Sequence, residues 1–401
     1  MKSRRSLWIP VLIVVLVPIL ALVLTLIAFR SRSGGLSELE ARIKTKGEPL
    51  TVTDLDAFYA SVPDEENGAL LLIEAWARED PLFWDAFRRG AFSLPPRRDT
   101  AVDPIVPFLG RDARDFSRTN SLSEAARAAA EDFLATHRER IDLVRAAIRK
   151  EHFRFPLQFS NTLDMLMPHL SALMENVRTF RLESLLAIER GDVDGAIGAL
   201  EGAVQCADVL AREPVLMSQL ARMGSYAQIL SSLEILLSRR ALSDAELKRA
   251  DALLEKMSTA GALRIALLGE RVMNLSIFER MPQSVRNEQG NAQGWHLAMG
   301  LITVTGIKAA DRRLMLETME PAVALAGRQD PGMPAEFQNL IDNAMEEASR
   351  FPPRFFRRCC CLCGGMLRCG FSLPKRECGR PGRQLPWNAT DGRTRNRCLQ
   401  R

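Results

Sequence analysis

The sequence predicts an all-α protein, in which helical hairpins form an irregular solenoid or a bundle behind one N-terminal transmembrane helix. Apolar residues recur at intervals of three and four over most of the chain, the spacing that places them on one face of an α-helix. Two Ser-x-x-Glu sequences, beginning at Ser121 and Ser243, match the capping box of helix N-termini. Patterns typical of β-strands are nearly absent, and aromatic residues make up 6% of the chain, which favours helices over sheets.

The first element is an uncharged apolar run from Leu7 to Phe29. At 1.5 Å per residue a helix of this length extends about 34 Å, enough to cross a hydrocarbon core of about 30 Å. A cleaved signal peptide has a shorter apolar region and a small-residue exit site, and neither is present. Residues 7–29 therefore predict an uncleaved signal anchor. Residues 1–6 form its basic cytoplasmic stub, and residues 30–46 form a linker.

Basic residues on either side of the run predict its orientation. Arg30 and Arg32 follow it, whereas the amino terminus and three basic residues precede it. By the positive-inside rule the amino terminus then faces the cytoplasm. We expect a single-pass protein of the cell membrane, held in the lipid bilayer through residues 7–29, with most of the chain outside the cytoplasm.

Charge is distributed unevenly along the chain. The formal net charge is +5, but residues 351–401 contain 11 Arg and one Lys against two acids, and residues 1–32 contain five basic residues and no acid. Residues 33–350 therefore carry a net charge of about −10. An acidic body argues against a nucleic-acid-binding core, so we expect no nucleic acid among the partners.

The middle of the chain contains the clearest helical patterns. The Ser121 capping box begins one helix, Pro168 lies in the first turn of the next, and Gly191 ends that helix. Asp192 is then placed to cap a third helix. The predicted buried stripes of these three helices are Phe133, His137, Ile141, Val144 and Ile148; Leu166, Leu170, Leu173, Val177 and Phe180; and Val193, Ile197, Leu200, Val204 and Ala207.

Two further helices follow. One begins after Glu213-Pro214, and the other begins at the Ser243 capping box, where Leu242 is expected to contact Leu247 across the cap. Their predicted buried stripes are Leu216, Leu220, Met223, Ala227 and Leu230, and Leu247, Ala250, Leu254 and Met257. The pairs 168–212 and 214–258 are similar in length, as in helical repeats. Stacked repeats need about three or more units, so a solenoid and a bundle both stay open.

One apolar stretch does not follow the helical pattern. It begins at Trp295 and includes Leu301 to Thr305, the best strand candidate of the chain. The stretch is too short to span a bilayer, so it predicts a buried helix or a lining loop.

Several short motifs resemble those of a group of uncharacterised, signal-anchored, all-helical bacterial envelope proteins. The matching segments are Gly47–Leu50, Thr53–Leu55, Val62–Ala69, Gly191–Ala196 and Glu213–Leu220. The resemblance covers roughly residues 1–350. It implies an N-terminal anchor followed by a helical extracytoplasmic domain, here residues 47–350, and it implies no activity and no catalytic residue.

The C-terminal residues 351–401 differ from the rest of the chain. Seven of the eight cysteines lie there, at positions 359, 360, 361, 363, 369, 378 and 398. Cys360-x-x-Cys363 has zinc-knuckle spacing, but a second such pair is missing. The composition changes abruptly near Phe356 to Arg, Cys, Gly and Pro, which favours a disordered or out-of-frame tail. A metal site, disulfide bonds and a basic interaction tail are the alternatives.

The body offers few residues for chemistry. Its four histidines, at positions 137, 152, 169 and 296, are scattered, and the common hydrolase, P-loop and dinucleotide motifs are missing. His137 is expected near the core, and His152 at a helix end. Asp64–Glu66 is interpreted as the first turn of a helix, and Glu189, Asp192 and Asp194 as turn and cap residues. We assign no catalytic, cofactor-binding or metal-ligating residue.

Three functions remain under consideration. The absence of catalytic motifs favours a membrane-tethered helical interaction or structural module, whose partner is another envelope protein. A cell-envelope enzyme acting through buried carboxylates is the first alternative. A small-ligand sensor, in which the Trp295–Thr305 segment forms a pocket wall, is the second.

Overall fold

The computed structural model describes residues 35–98, 102–110, 121–288, 307–328, 335–340 and 342–343. A 3-10 helix covers Phe159–Asp164. The α-helices, numbered in chain order, are α1 (Leu36–Thr45), α2 (Val52–Phe58), α3 (Gly68–Ala77), α4 (Pro81–Arg88), α5 (Glu124–Thr136), α6 (Arg138–Ala147), α7 (Pro168–Arg190), α8 (Val193–Asp208), α9 (Leu216–Arg239), α10 (Asp244–Lys256), α11 (Ala262–Glu288) and α12 (Ile307–Ala326).

The prediction of an all-α protein is confirmed for the described residues. They contain no strand, and an isolated parallel bridge pairs Asn67 with His152. None of their helices is both long enough and apolar enough to cross a membrane. The predicted anchor (7–29), the Trp295–Thr305 segment and the tail (351–401) lie outside the described residues.

The α7–α8 hairpin follows the sequence prediction closely. Gly191 ends α7 with a φ of 76°, a left-handed conformation that glycine adopts without steric cost. The Asp192 carboxylate accepts a hydrogen bond of 2.8 Å from the Gly195 amide and caps α8. The predicted stripes are buried except at their first positions, Leu166 and Val193, which are partly exposed.

The first predicted helix is wrong in two respects. The N-cap is Ser123 rather than Ser121, because the Ser123 hydroxyl accepts the Ala126 amide hydrogen at 3.2 Å. The predicted single helix is also divided at His137, whose backbone leaves the helical conformation between α5 and α6. Its ring Nδ1 lies 2.7 Å from Oε1 of Glu79, so a tertiary contact holds the break. The four apolar members of the stripe are buried as predicted.

The buried faces of α9 and α10 also differ from the prediction. Leu230 of the predicted α9 stripe is 40% exposed, and the buried face carries Tyr226, Ile229 and Leu233 together with polar side chains. In α10, Leu253 is buried instead of Leu254, whereas the capping box of Ser243 is confirmed. The predicted partner of Leu242 is exposed, and Leu242 packs against the core instead. On α9 the buried polar groups form tertiary hydrogen bonds, which an apolar pattern cannot reveal.

The helices pack largely in chain order. α7 and α8 pack together, α9 contacts both, and α10 contacts α8. α11 packs on α9, α12 on α11, and α1 on α12. On the other flank α3 contacts α4 and α6, and α5 contacts α7. Buried apolar side chains connect α2 to α11 in one core that extends from Leu55 in α2 to Met273 in α11.

A buried charge network attaches the segment after α1 to the last helices. Arg271 of α11 is fully buried, and it donates to Oε2 of Glu48 at 2.9 Å and to the Pro49 carbonyl at 3.0 Å. Arg264 donates to the other Glu48 oxygen at 2.7 Å, and Glu320 of α12 lies 3.7 Å from Arg271. Since removing one partner leaves a buried charge unpaired, this network fixes the position of residues 48–49.

Two helical glycines provide a matched test of the packing. The carbonyl oxygen of Pro214 would lie 1.7 Å from a Cβ at Gly269, whereas a Cβ at Gly224 would meet nothing within 4 Å. We expect Gly269→Ala to destabilise the fold by about 1–3 kcal/mol through overpacking. Gly224→Ala should stabilise it by roughly 0.5–1 kcal/mol through helix propensity. Denaturant unfolding of both variants measures this, and equal effects would contradict the contact between α11 and the α8–α9 loop.

Candidate functional site

A buried polar centre, formed by Tyr59, His169, Glu213 and Ser218, lies where α2, α7 and the α8–α9 loop meet. Its acid is fully buried, as are the histidine and the serine. The Glu213 oxygens lie 3.0 and 3.2 Å from Nε2 of His169, and Oε1 also accepts from the Ser218 hydroxyl. The Tyr59 hydroxyl donates to Oε2 at 3.4 Å. The carboxylate thus receives hydrogen bonds from three segments of the chain.

Gln219 fixes the loop that carries Glu213. Its side-chain amide donates to the carbonyls of Leu210 at 2.8 Å and Glu213 at 2.9 Å. Both carbonyls lie beyond the end of α8, where backbone acceptors have no helical partner. Gly269 allows α11 to approach the same loop at Pro214. Local sequence and close helix contact together determine where the carboxylate lies.

Aromatic rings surround the polar centre. The His169 ring stacks on Phe155 and Phe87, with centroid distances of 4.3 and 5.7 Å. The Phe155 amide donates to the Tyr59 hydroxyl at 3.0 Å. Burial and the neighbouring Glu213 carboxylate raise the pKa of Tyr59 well above its usual value, so this phenol stays protonated and acts as a donor.

This arrangement of Ser, His and Glu differs from a hydrolase triad. In a triad the serine hydroxyl bonds to the histidine, and the acid bonds to the other ring nitrogen. Here Ser218 and Nε2 of His169 both bond to Glu213, and Nδ1 is buried without a hydrogen bond to any described residue. A fully buried centre also offers no space for a substrate. We conclude that the polar centre joins helices.

A surface groove of about 770 Å³ lies between α5, α6, α7 and α8, with Arg249 of α10 at its edge. Gly195 and Gly198 of α8 line one side and keep it wide. Its arginines form ion pairs with acids. Pairs between neighbouring helices are Arg190 with Glu131 at 2.7 Å, Arg249 with Asp194 and with Glu201 at 2.9 Å, and Arg145 with Glu183, whereas Arg138 and Asp142, 3.9 Å apart, pair within α6.

Glu183 differs from the other carboxylates of the groove. Burial raises its pKa above the ordinary range, although Arg145 opposes the shift. The negative charge of Asp142 raises it further. A raised pKa in a cleft is a property of general acids, but it also occurs in structural ion pairs. Since Arg145 hydrogen-bonds to Glu183, its geometry is that of an ion pair between α6 and α7.

The other candidate residues named from the sequence take part in structural contacts. His137 bonds to Glu79, and the His152 carbonyl accepts the Gly68 amide hydrogen at 2.9 Å. Asp64–Glu66 forms an exposed turn, which corrects the prediction that it opens a helix, because Asn67 caps α3. Glu189 pairs with Arg239 at 2.7 Å in addition to its place near the turn. His296 lies outside the described residues.

The described residues contain neither a metal site nor a reactive thiol. No group of three or more His, Cys, Asp or Glu side chains within them is arranged to hold a metal ion. Cys206 is buried and free, and burial raises the pKa of its thiol to about 12. At neutral pH this cysteine is therefore a protonated, unreactive thiol.

Sequence reasoning did not find the polar centre. Glu213 and His169 are 44 positions apart, and neither belongs to a known motif. The one local signal is Glu213 itself, an acid directly before Pro214 and the apolar pair Val215 and Leu216.

Ser218 and Ser171 provide a matched test of the polar centre. Ser218→Ala removes one donor from a buried carboxylate, and we expect a loss of about 1–3 kcal/mol in unfolding free energy. Ser171 is exposed, and its hydroxyl donates to the Pro168 carbonyl of its own first helical turn, so Ser171→Ala should change stability by less than about 0.5 kcal/mol. Denaturant unfolding measures both. A Ser218→Ala variant as stable as the Ser171→Ala variant would show that the Glu213 contacts contribute little.

The chain matches no model of a known protein family, no curated protein and no solved structure. The resemblance of its short motifs to bacterial envelope proteins therefore stays a prediction, and a function has to be inferred from the geometry of the chain itself.

Proposed function

We propose that this protein is a membrane-tethered helical interaction module, anchored through residues 7–29, with its helical body outside the cytoplasm. The observation that carries the proposal is an exposed apolar stripe on α9. Met217, Leu230 and Leu237 are 44%, 40% and 47% exposed, and Leu220 and Met223 between them are partly exposed. We name these five residues the α9 stripe.

The α9 stripe is unusual because the helix buries polar groups on its opposite side. Ser218 and Gln219 bond to the α8–α9 loop, and Arg222 donates to Oδ1 of Asp208 at 3.0 Å. Amphipathic helices normally bury their apolar face and expose their polar face. A row of large apolar side chains on the surface marks an interaction site more often than scattered single residues do. We infer that another envelope protein covers the α9 stripe.

The groove is consistent with the same function. Its volume suits a chain segment, and its charged side chains are paired with each other. Surface ion pairs of this kind contribute little to stability, so a partner can exchange them at small cost. They also give specificity to binding by excluding partners of the wrong charge pattern.

A second candidate function, a cell-envelope enzyme, is favoured by the raised pKa of Glu183 beside Asp142 in the groove. Glycoside hydrolases use two carboxylates of this kind. The candidate is weaker than the module because Glu183 is held by Arg145. The third hypothesis, a small-ligand sensor, depends on the Trp295–Thr305 segment, which lies outside the described residues.

Site-specific photocrosslinking in cells tests the interaction. A crosslinking residue at Leu230 should form a discrete adduct with another membrane protein, because the α9 stripe is covered there. Glu139 of α6, whose side chain is 79% exposed and polar, is the control position and should form none. The substitution Leu230→Asp should leave the thermal unfolding of the body unchanged, because this side chain lies outside the core. No adduct at Leu230, or equal adducts at both positions, would refute the docking surface.

The anchor has its own test. We expect the mature protein to keep residues 7–29 and to stay in the membrane fraction after alkaline extraction, because the apolar run lacks a cleavage site. Mass spectrometry of the N-terminal peptide decides this. Recovery of a soluble form that begins after Phe29 would refute the anchor but would leave the docking surface untouched.

A further inference from the structure

Arg181 of α7 is a buried cation whose hydrogen-bond partners are uncharged side chains. Its guanidinium donates from Nε to the Ser232 hydroxyl at 2.8 Å and from Nη1 to Oε1 of Gln228 at 3.1 Å. The Phe108 ring lies 4.1 Å from the guanidinium carbon. The side chain is 7% exposed, so most of its hydration is lost. Arginines of comparable burial in this protein, Arg140 and Arg271, contact carboxylates.

No carboxylate of the described residues forms an ion pair with Arg181. The charge that acts on it is that of a second cation, Arg178, which lies one helical turn earlier on α7. Burial and this like charge lower the pKa of Arg181 to about 10, so the guanidinium stays protonated at neutral pH. Arg178 is half-buried and forms no ion pair or hydrogen bond within the described part of the chain. Two positive charges thus lie close together, and no carboxylate of the described residues pairs with either.

Part of the Arg181 fork remains available to a ligand. Its Nη2 forms no hydrogen bond with the described residues, whereas Nε and Nη1 are both used. Phe108 covers one face of the guanidinium, and its φ of 66° is rare for an aromatic residue. A backbone held in this conformation places the ring over Arg181 and leaves the edge of the guanidinium as the direction of approach.

We propose that Arg181 and Arg178 form a binding site for an oxyanion, the carboxylate or phosphate group of a small molecule. The planar fork of arginine matches both groups, and a bound anion would supply the counter-charge that no carboxylate of the described residues provides. Ser232 and Gln228 of α9 hold Arg181 in place, and Arg178 supplies a second, more exposed set of donors. This site is independent of the anchor and of the α9 stripe.

Thermal unfolding of the full chain in detergent, with ligand added at constant ionic strength, tests the site. Inorganic phosphate and acetate are the probes. We expect at least one of them to raise the midpoint in a saturable way, because a ligand that binds the native state stabilises it. Saturation by phosphate alone assigns a phosphate group, and saturation by acetate assigns a carboxylate. If neither probe gives a saturable rise, the proposal is wrong.

Charge-matched variants make the test specific. Arg178→Gln should weaken the binding of the effective probe at least tenfold. Arg149→Gln, which removes the same charge from an exposed arginine of the α6 end, should change it less than twofold. Arg178→Glu places a carboxylate one turn from Arg181, and it should abolish the response while raising the midpoint without ligand. Equal weakening by Arg178→Gln and Arg149→Gln would overturn the proposal, since it would show binding to net charge alone.

Discussion

The Glu213 carboxylate is the constraint on which the rest of the body depends. It receives hydrogen bonds from α2, α7 and the first turn of α9, and its own loop is held by Gln219. A buried acid cannot remain without donors, because an unpaired charge in a low-dielectric interior costs several kcal/mol. The helices must therefore meet around this group. The apolar core then fills the space between helices whose relative positions are already limited.

Helix ends and caps were predictable from the sequence. The structure confirms them where a single residue type determines where a helix begins or ends. Gly191 ends α7, Asp192 caps α8 and the Ser243 box begins α10, since each of these features depends on neighbouring residues alone. The stripes of α7 and α8 were also predictable. These two helices bury apolar faces against each other, so periodicity and burial agree.

The remaining features depend on contacts between distant residues. The α9 pattern indicated the wrong face, because Gln219 and Arg222 satisfy their polar groups inside the protein. The break at His137 depends on Glu79, and the choice of Ser123 over Ser121 depends on the backbone conformation that precedes α5. Arg181 gave no signal in the sequence, since an arginine on a helix is normally a solvated residue. Burial of a charge becomes visible only after the neighbouring helices are in place.

The polar side chains that α9 buries among its apolar ones separate two properties that most helices combine. A helix that buries leucines can slide or rotate by one position with a modest loss, whereas α9 would leave several hydrogen-bonding groups unpaired. The register of α9 is therefore fixed by its buried side. The outer side can then change its residues during evolution, or in the laboratory, without a matching change in the fold. On the proposed function, binding preference and foldability would be encoded on opposite sides of the same helix.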